Sequence, residues 1–181
     1  MSALPPFPVA TGAGPATPPA LTALGLRLRP ATMADLPGLR RVYADTRAEE
    51  MAQVPWPPGL RQAFLDQQFD LQHTHYLQHY GDADFLVLER AGEVLGRLYL
   101  QRTAPEHLVV DISLREPLRG QGVGSALLVQ AQAQALAEGR GVCLHVRREN
   151  GAARRLYLRL GFVPAGGTDT HERMAWRAGA S

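Results

Sequence analysis

Apolar and polar positions along this chain follow two periods, and the change from one to the other marks its elements. "LGLRLRP", from Leu24, alternates apolar and charged residues and predicts a first strand that Pro30 stops. Thr32 and Asp35 form a variant capping box, which should open a helix through "MADLPGLRRVYADTRAEEM". "VPWPPG" breaks that helix. "LRQAFLDQQFDLQHTHYLQHY" has the length and propensity of a second one, with Leu65, Phe69, Tyr76 and Tyr80 close to one face. The period then shortens to two. "DFLVLERAGEVLGRLYLQR" predicts two strands around the turn "RAGE", an antiparallel hairpin. "EHLVVDISL" is mostly apolar, as a central buried strand should be.

Behind that strand the helical period returns. A helix is predicted over roughly Gly122 to Glu138, with Val123, Leu127, Ala131 and Ala135 on one side and Gly139 and Gly141 ending it. "VCLHV" predicts a strand. "NGAARRLYLRLGF" predicts a short helix with Asn150 at its N-cap and Gly161 just past its end. "GFVPAG" and "HERMAWRA" complete the set as two strands. The predicted order is β-α-α-β-β-β-α-β-α-β-β. The crossover from Val109 to Val146 should set two strands parallel, so the fold class is a mixed α/β sheet.

The chain has 181 residues, enough for one domain with its own core. Residues 1–23 hold no charged side chain and are rich in Pro, Ala, Thr and Gly, which predicts a flexible extended tail. A single domain is expected over 24–178. The net charge is only +2, which disfavours a nucleic-acid partner. All 19 basic residues are arginine, so no lysine is available as a Schiff-base nucleophile or phosphate clamp. Cys143 is the one cysteine and lies in an apolar strand, where a thiol is inert. No signal peptide and no membrane-length apolar run is evident, which makes a cytoplasmic location the expectation.

The stretch "ISLREPLRGQGVGSALL" packs Gly120, Gly122 and Gly124 between the central strand and its helix. A nucleotide P-loop would need GxxxxGK[ST], and the chain has no lysine. A dinucleotide loop would need a third glycine where Ser125 stands. It would also need a turn directly after the strand, yet Arg115–Arg119, with Pro117 among them, intervene. Arg147 and Arg148 replace the acidic residue that would hold a ribose. The remaining readings are a pyrophosphate cradle of backbone N–H groups at a helix N-terminus, rimmed by Arg119, and a plain glycine-rich turn.

Arg119-x-x-Gly122-x-Gly124 matches the [RQ]xxGx[GA] signature of the GNAT superfamily of acyl-CoA-dependent N-acetyltransferases. Downstream, Asn150, Ala153, Tyr157 and Leu160-Gly161-Phe162 resemble a second block of that superfamily, at the expected separation. The element order is similar too, over about residues 24 to 178. The resemblance implies a GNAT-like fold with a splayed central parallel strand pair. It implies direct transfer of an acetyl group from acetyl-CoA to a primary amine of a small molecule or peptide, in a ternary complex and without a metal. Arg119, Gly120, Gln121, Gly122, Val123, Gly124 and Ser125 would hold the pyrophosphate. The backbones of Ile112 and Leu114 would bind the pantetheine arm, and one of their amides would face the acetyl oxygen. Asn150 would contact the arm from the next crossover. Tyr157 would protonate the departing thiolate.

The general base is left open. The place where many relatives carry a glutamate falls near Leu108. Asp111 is the nearest carboxylate, with a structural role as its alternative; Glu106 starts the strand, and bound water or a neutral incoming amine would also serve. Acceptor recognition should fall on "YADTRAEEMAQVPW", with Tyr43, Arg47, Glu49, Glu50 and Trp56, where the glutamates would hold a cationic amine or simply end a solvated helix. His75 and His79 have metal-ligand spacing but no evident third ligand. The missing strand glutamate favours one competitor, a CoA-binding regulatory or scaffold module without turnover. A homodimer is compatible with either reading.

Overall fold

Short alternating segments pair into one seven-stranded sheet, in the order β1-β2-β3-β4-β5-β7-β6. The strands are β1 (Arg27–Pro30), β2 (Asp84–Arg90), β3 (Glu93–Gln101), β4 (Glu106–Leu114), β5 (Gly141–Arg147), β6 (Val163–Gly167) and β7 (His171–Trp176). The computed structural model describes residues 3–10 and 14–179. Every pairing is antiparallel except β4 with β5, the pair joined by the helical crossover. The mixed α/β fold expected from the element order is the one observed.

The helices are α1 (Pro19–Thr22), α2 (Leu36–Thr46), α3 (Ala48–Ala52), α4 (Pro58–His79), α5 (Val123–Ala137) and α6 (Gly151–Arg159). The Thr32–Asp35 box is formed, around a single 3-10 turn that leads into α2. The long first helix expected through Met51 is broken at Arg47, whose backbone leaves the helical region. Just before it the Thr46 hydroxyl donates to the Tyr43 carbonyl at 2.6 Å, a local bond that competes with continuing the helix.

Strand alternation sends side chains to two apolar clusters, one on each face of the sheet. Leu86, Leu88, Leu98, Val109, Leu144 and Val146 pack under α1, α5 and α6. Phe85, Val87, Val94 and Tyr99 pack under α2, α3 and α4 with Leu39, Phe69 and Met51. No helix among the described residues is long and apolar enough to cross a membrane.

Within the segment 1–23, expected as a flexible tail, described residues make side-chain contacts with the domain. Phe7 is buried in the α4-side cluster, edge-on to His73 with ring centroids 4.9 Å apart. His73 Nε2 bonds the Pro5 carbonyl at 2.8 Å. Leu21, 1% exposed, enters the other core, and the Leu28 amide donates to the Thr17 hydroxyl at 2.9 Å. Few apolar residues were available; Phe7 and Leu21 found pockets in the finished domain, while Val9 stays 91% exposed. That outcome depends on tertiary complementarity rather than on composition.

Candidate active site

The site starts where β4 and β5 part. Their parallel register runs from Glu106↔Gly141 to Val109↔Leu144 and stops, although β4 continues to Leu114 and β5 to Arg147. Immediately beyond Val109 the β3–β4 register slips, so that Leu100 faces Val109 while Tyr99 faces Asp111. Val110 is therefore the extra residue of a bulge, a device that bends a strand and re-aims its side chains. The Arg115 amide donates to the Leu95 carbonyl at 2.8 Å. By antiparallel alternation the backbones of Ser113 and Asp111 also face β3. The N–H and C=O groups of Ile112 and Leu114 then point into the gap on the β5 side. Half-buried Ile112, Leu114, Ala126, Ala153 and Leu156 give the gap apolar walls.

At the end of the gap lies the glycine loop. Gly120 and Gly122 have φ of +73° and +76°, left-handed values that favour glycine. Open space surrounds the place a Cβ would take at both, so backbone conformation, not crowding, asks for glycine there. Gly124 differs: a Cβ would sit 3.4 Å from Leu156 Cδ2. Gly122 caps α5 without a side-chain bond, and no acidic residue occupies the first turn. The amides of Gly120 through Ser125 have no acceptor among the described residues; the helix ladder begins with Ala126 donating to Gly122. A run of free N–H groups at the positive end of a 15-residue helix suits an anionic pyrophosphate. The Arg119 guanidinium braces the loop. It donates to the Leu114 carbonyl at 3.2 Å and to the Asp45 carbonyl at 3.3 Å. The Gln121 side chain bonds the Pro117 carbonyl.

From the α6 side come Asn150 and Tyr157. Asn150 Oδ1 accepts from the Ala153 amide at 3.1 Å, the N-cap the sequence predicts. Tyr157 is 7% exposed and packs on Phe162, and its hydroxyl has no hydrogen-bond partner among the described residues. Burial, helped by the charge of Asp111, pushes its phenol up to about 12. It therefore keeps its proton at neutral pH.

Asp111, offered by the sequence as a base, is committed elsewhere. Oδ1 accepts from Arg97 Nε at 3.2 Å and from the Ser113 hydroxyl at 2.6 Å. Oδ2 accepts from Arg97 Nη2 at 2.9 Å and from the Tyr76 hydroxyl at 2.8 Å. Both oxygens are saturated, so no lone pair is free to take a proton from an amine. Glu106 is equally tied, to Arg173 and to Arg177, at the far end of β4.

The acceptor-side expectations divide. Tyr43 is a core residue, 6.1 Å from the Phe69 ring, with Arg47 stacked 5.4 Å over its face. Glu50 is not a free carboxylate: it pairs with Arg47 at 3.4 Å and with Arg147 of β5 at 3.7 Å. This second contact carries α3 across the sheet to β5. Glu49 is exposed with no ion pair among the described residues, and Trp56 stands edge-on to Phe64 at the surface. His75 and His79 stack on each other at 4.1 Å, and His79 Nδ1 bonds the His75 carbonyl at 2.9 Å. Cys143 is buried, and burial raises its thiol, as an inert side chain requires.

Two residues of the site escaped the sequence reading. Arg97 is buried beneath the bulge, and a charge inside the apolar run "VLGRLYL" was the available signal. His145 stands exposed at the first position of β5 beyond its pairing with β4, a polar residue inside "VCLHV".

Among curated proteins, none matches the chain by sequence. The family model of the acetyltransferase (GNAT) domain matches residues 81–164. Among solved structures, a histone acetyltransferase HPA2 and related acetyltransferase from Corynebacterium glutamicum is 26% identical. Its TM-score is 0.60, over 87% of this chain and 98% of that one. The PaiA N-acetyltransferase from Thermoplasma acidophilum, solved with coenzyme A, has a TM-score of 0.65 at 17% identity, over 84% and 98%. The ribosomal-protein-S18-alanine N-acetyltransferase from Escherichia coli has a TM-score of 0.57 at 21% identity, over 83% and 92%. The matched segment contains the divergent strands, the glycine loop and α6, so residues 81–164 match the GNAT acetyltransferase domain, and the chain shares the fold of these acetyltransferases.

Proposed function

We propose that this protein moves an acetyl group from acetyl-CoA to a primary amine of a small molecule or peptide, directly, in a ternary complex. One observation carries the reading: the free amides of Gly120 through Ser125 lie at the head of α5, beside the gap where β4 and β5 diverge. The coenzyme A in the Thermoplasma PaiA structure supports the same ligand here.

Acetyl-CoA supplies an acyl group activated as a thioester. The amides of the glycine loop hold its pyrophosphate, and Arg119 keeps that loop against β4 and α2. Ile112 and Leu114 offer backbone donors and acceptors to the pantetheine arm as a missing strand would, with Asn150 at its other side. The Ile112 amide is placed to bind the oxyanion that develops on the acetyl oxygen, the kind of fixed dipole that lowers an acyl-transfer barrier. Tyr157, neutral and with no hydrogen-bond partner among the described residues, delivers a proton to the thiolate. The acceptor enters on the other face of the sheet, between α3 and β5, where exposed Glu49, with no ion pair among the described residues, holds a cationic substrate.

Calorimetric titration with CoA and acetyl-CoA, followed by thiol release with a panel of primary amines, tests this. Saturable binding with amine-dependent thiol release is the expected result. Binding without release for any amine would instead support a CoA-binding module without turnover, the reading that the saturated Asp111 favours. Failure to bind either ligand overturns both.

A further inference from the structure

We propose that His145 is the general base of this acetyl transfer, taking a proton from the acceptor amine at the mouth of the β4–β5 gap. The assignment rests on the acetyltransferase reading above and supplies the group which that reading lacks.

Position comes first. Leu144 is the last residue of β5 paired with β4, opposite Val109, so His145 is the first beyond the divergence. At about 3.3 Å per residue, His145 stands one step past that pair; Ile112, with the bulge at Val110 discounted, stands about two. The His145 backbone therefore lies across the gap from the Ile112 amide, with the space for a small acyl group between them.

Side-chain direction comes next. Val142, Leu144 and Val146 enter the core under α5 and α6, so by alternation Cys143 and His145 point to the opposite face. Tyr157 belongs to the α5–α6 face. Acid and base thus approach the gap from opposite faces of the sheet. The thiolate would leave toward one and the amine arrive from the other.

Availability separates His145 from its rivals. It is exposed, and neither ring nitrogen has a hydrogen-bond partner among the described residues. Asp111 is saturated by Arg97, Tyr76 and Ser113, Glu106 by two arginines, and Glu50 by two more. His73 is tied to Pro5 and His107 to Glu138.

The groups around the imidazole favour its neutral form. Arg173 faces it directly from β7, and His171 lies two pairs further along, on the same face. Cys143 and Arg147 flank it on its own strand, Asp111 shares its face from β4, and α3 presents Arg47 and Glu50. Partial burial, then Arg173 and His171, hold the imidazole below its ordinary value. A histidine in this state is deprotonated at pH 7 and free to accept.

The protons balance. An acceptor ammonium gives one proton to His145, and the nitrogen lone pair then forms the C–N bond to the thioester carbon. The C–S electron pair leaves with sulfur, which takes the Tyr157 proton. The second amine proton returns to the Tyr157 phenolate through water. His145 releases its proton to solvent, one per turnover.

The test compares wild type, His145→Gln and His145→Ala in CoA calorimetry and in pH profiles of kcat/KM, with an amine that wild type acetylates. Both variants should keep CoA affinity within about twofold and lose about 100-fold in rate at pH 7. Their profiles should lose the inflection below about pH 6.5. Added imidazole should restore part of the His145→Ala rate. A variant that keeps the wild-type profile, or loses rate with the inflection intact and no rescue by imidazole, overturns the assignment of His145 alone. If wild type acetylates no amine in the panel, the acetyltransferase reading falls and this assignment falls with it.

Discussion

Arg97 of β3 grips the carboxylate of Asp111 on β4 at two points, 2.9 and 3.2 Å, with side chains only 2% and 10% exposed. The pair sits at the bulge that turns the following residues toward the gap. Gln72 and Tyr76 of α4 bind the same two groups at 2.6 and 2.8 Å, so the ion pair also fixes α4 to the sheet. Removing one partner strands the other charge in the core. Asp111→Ala should cost about 3–5 kcal/mol in urea unfolding, and the double variant Arg97→Met/Asp111→Leu should cost less than Asp111→Ala alone. A double variant weaker than Asp111→Ala would show that the pair contributes net stability.

The glycine loop separates folding from binding. Gly122→Ala puts a side chain on a left-handed residue and should lower stability by about 1–2 kcal/mol while weakening CoA binding. Gly124→Ala lies in regular helix with its new methyl in contact with Leu156. It should leave the thermal midpoint within a few degrees of wild type and weaken CoA binding by narrowing the gap between Leu156 and Leu114. Thermal melts without ligand and CoA calorimetry read the two effects independently.

Tyr157→Phe should lower kcat by about 100-fold or more with CoA affinity unchanged, if the phenol is the acid. Its proton also bears on alkaline stability. Burial raises the phenols of both Tyr99 and Tyr157 to about 12. The folded state then retains protons that the unfolded chain loses near pH 10, so stability is full below that pH and falls as pH rises toward 12. Spectrophotometric titration should show a late phenolate phase coinciding with unfolding, smaller in amplitude in Tyr157→Phe.

The N-terminal segment should behave as part of the core. Leu21→Ala should cost about 2–5 kcal/mol and Phe7→Ala about 3 kcal/mol in chemical denaturation. Deletion of residues 1–23 should lower the thermal midpoint by more than either. A midpoint unchanged by the deletion would mean that the contacts of Phe7 and Leu21 contribute nothing.

Local pattern determined much of this protein before any coordinates. The bounds of β4, the cap at Asn150, the Thr32–Asp35 box and the helix behind the glycines all depend on residues a few positions apart, and their physics is local. The glycine loop was legible for the same reason: a strand, a left-handed glycine and a helix N-terminus are neighbours in sequence. Tertiary structure decided which side chains remain available for chemistry. Asp111 is saturated by groups 14 and 35 residues away, and His73 meets a carbonyl 68 residues away. Strand order brought Arg173 beside His145, and the end of the β4–β5 register opened the space before it. Hydrogen-bond saturation depends on partners that only the closed fold brings within about 3 Å. A sequence can therefore nominate a carboxylate, but the packed sheet assigns it to structure and leaves an imidazole free.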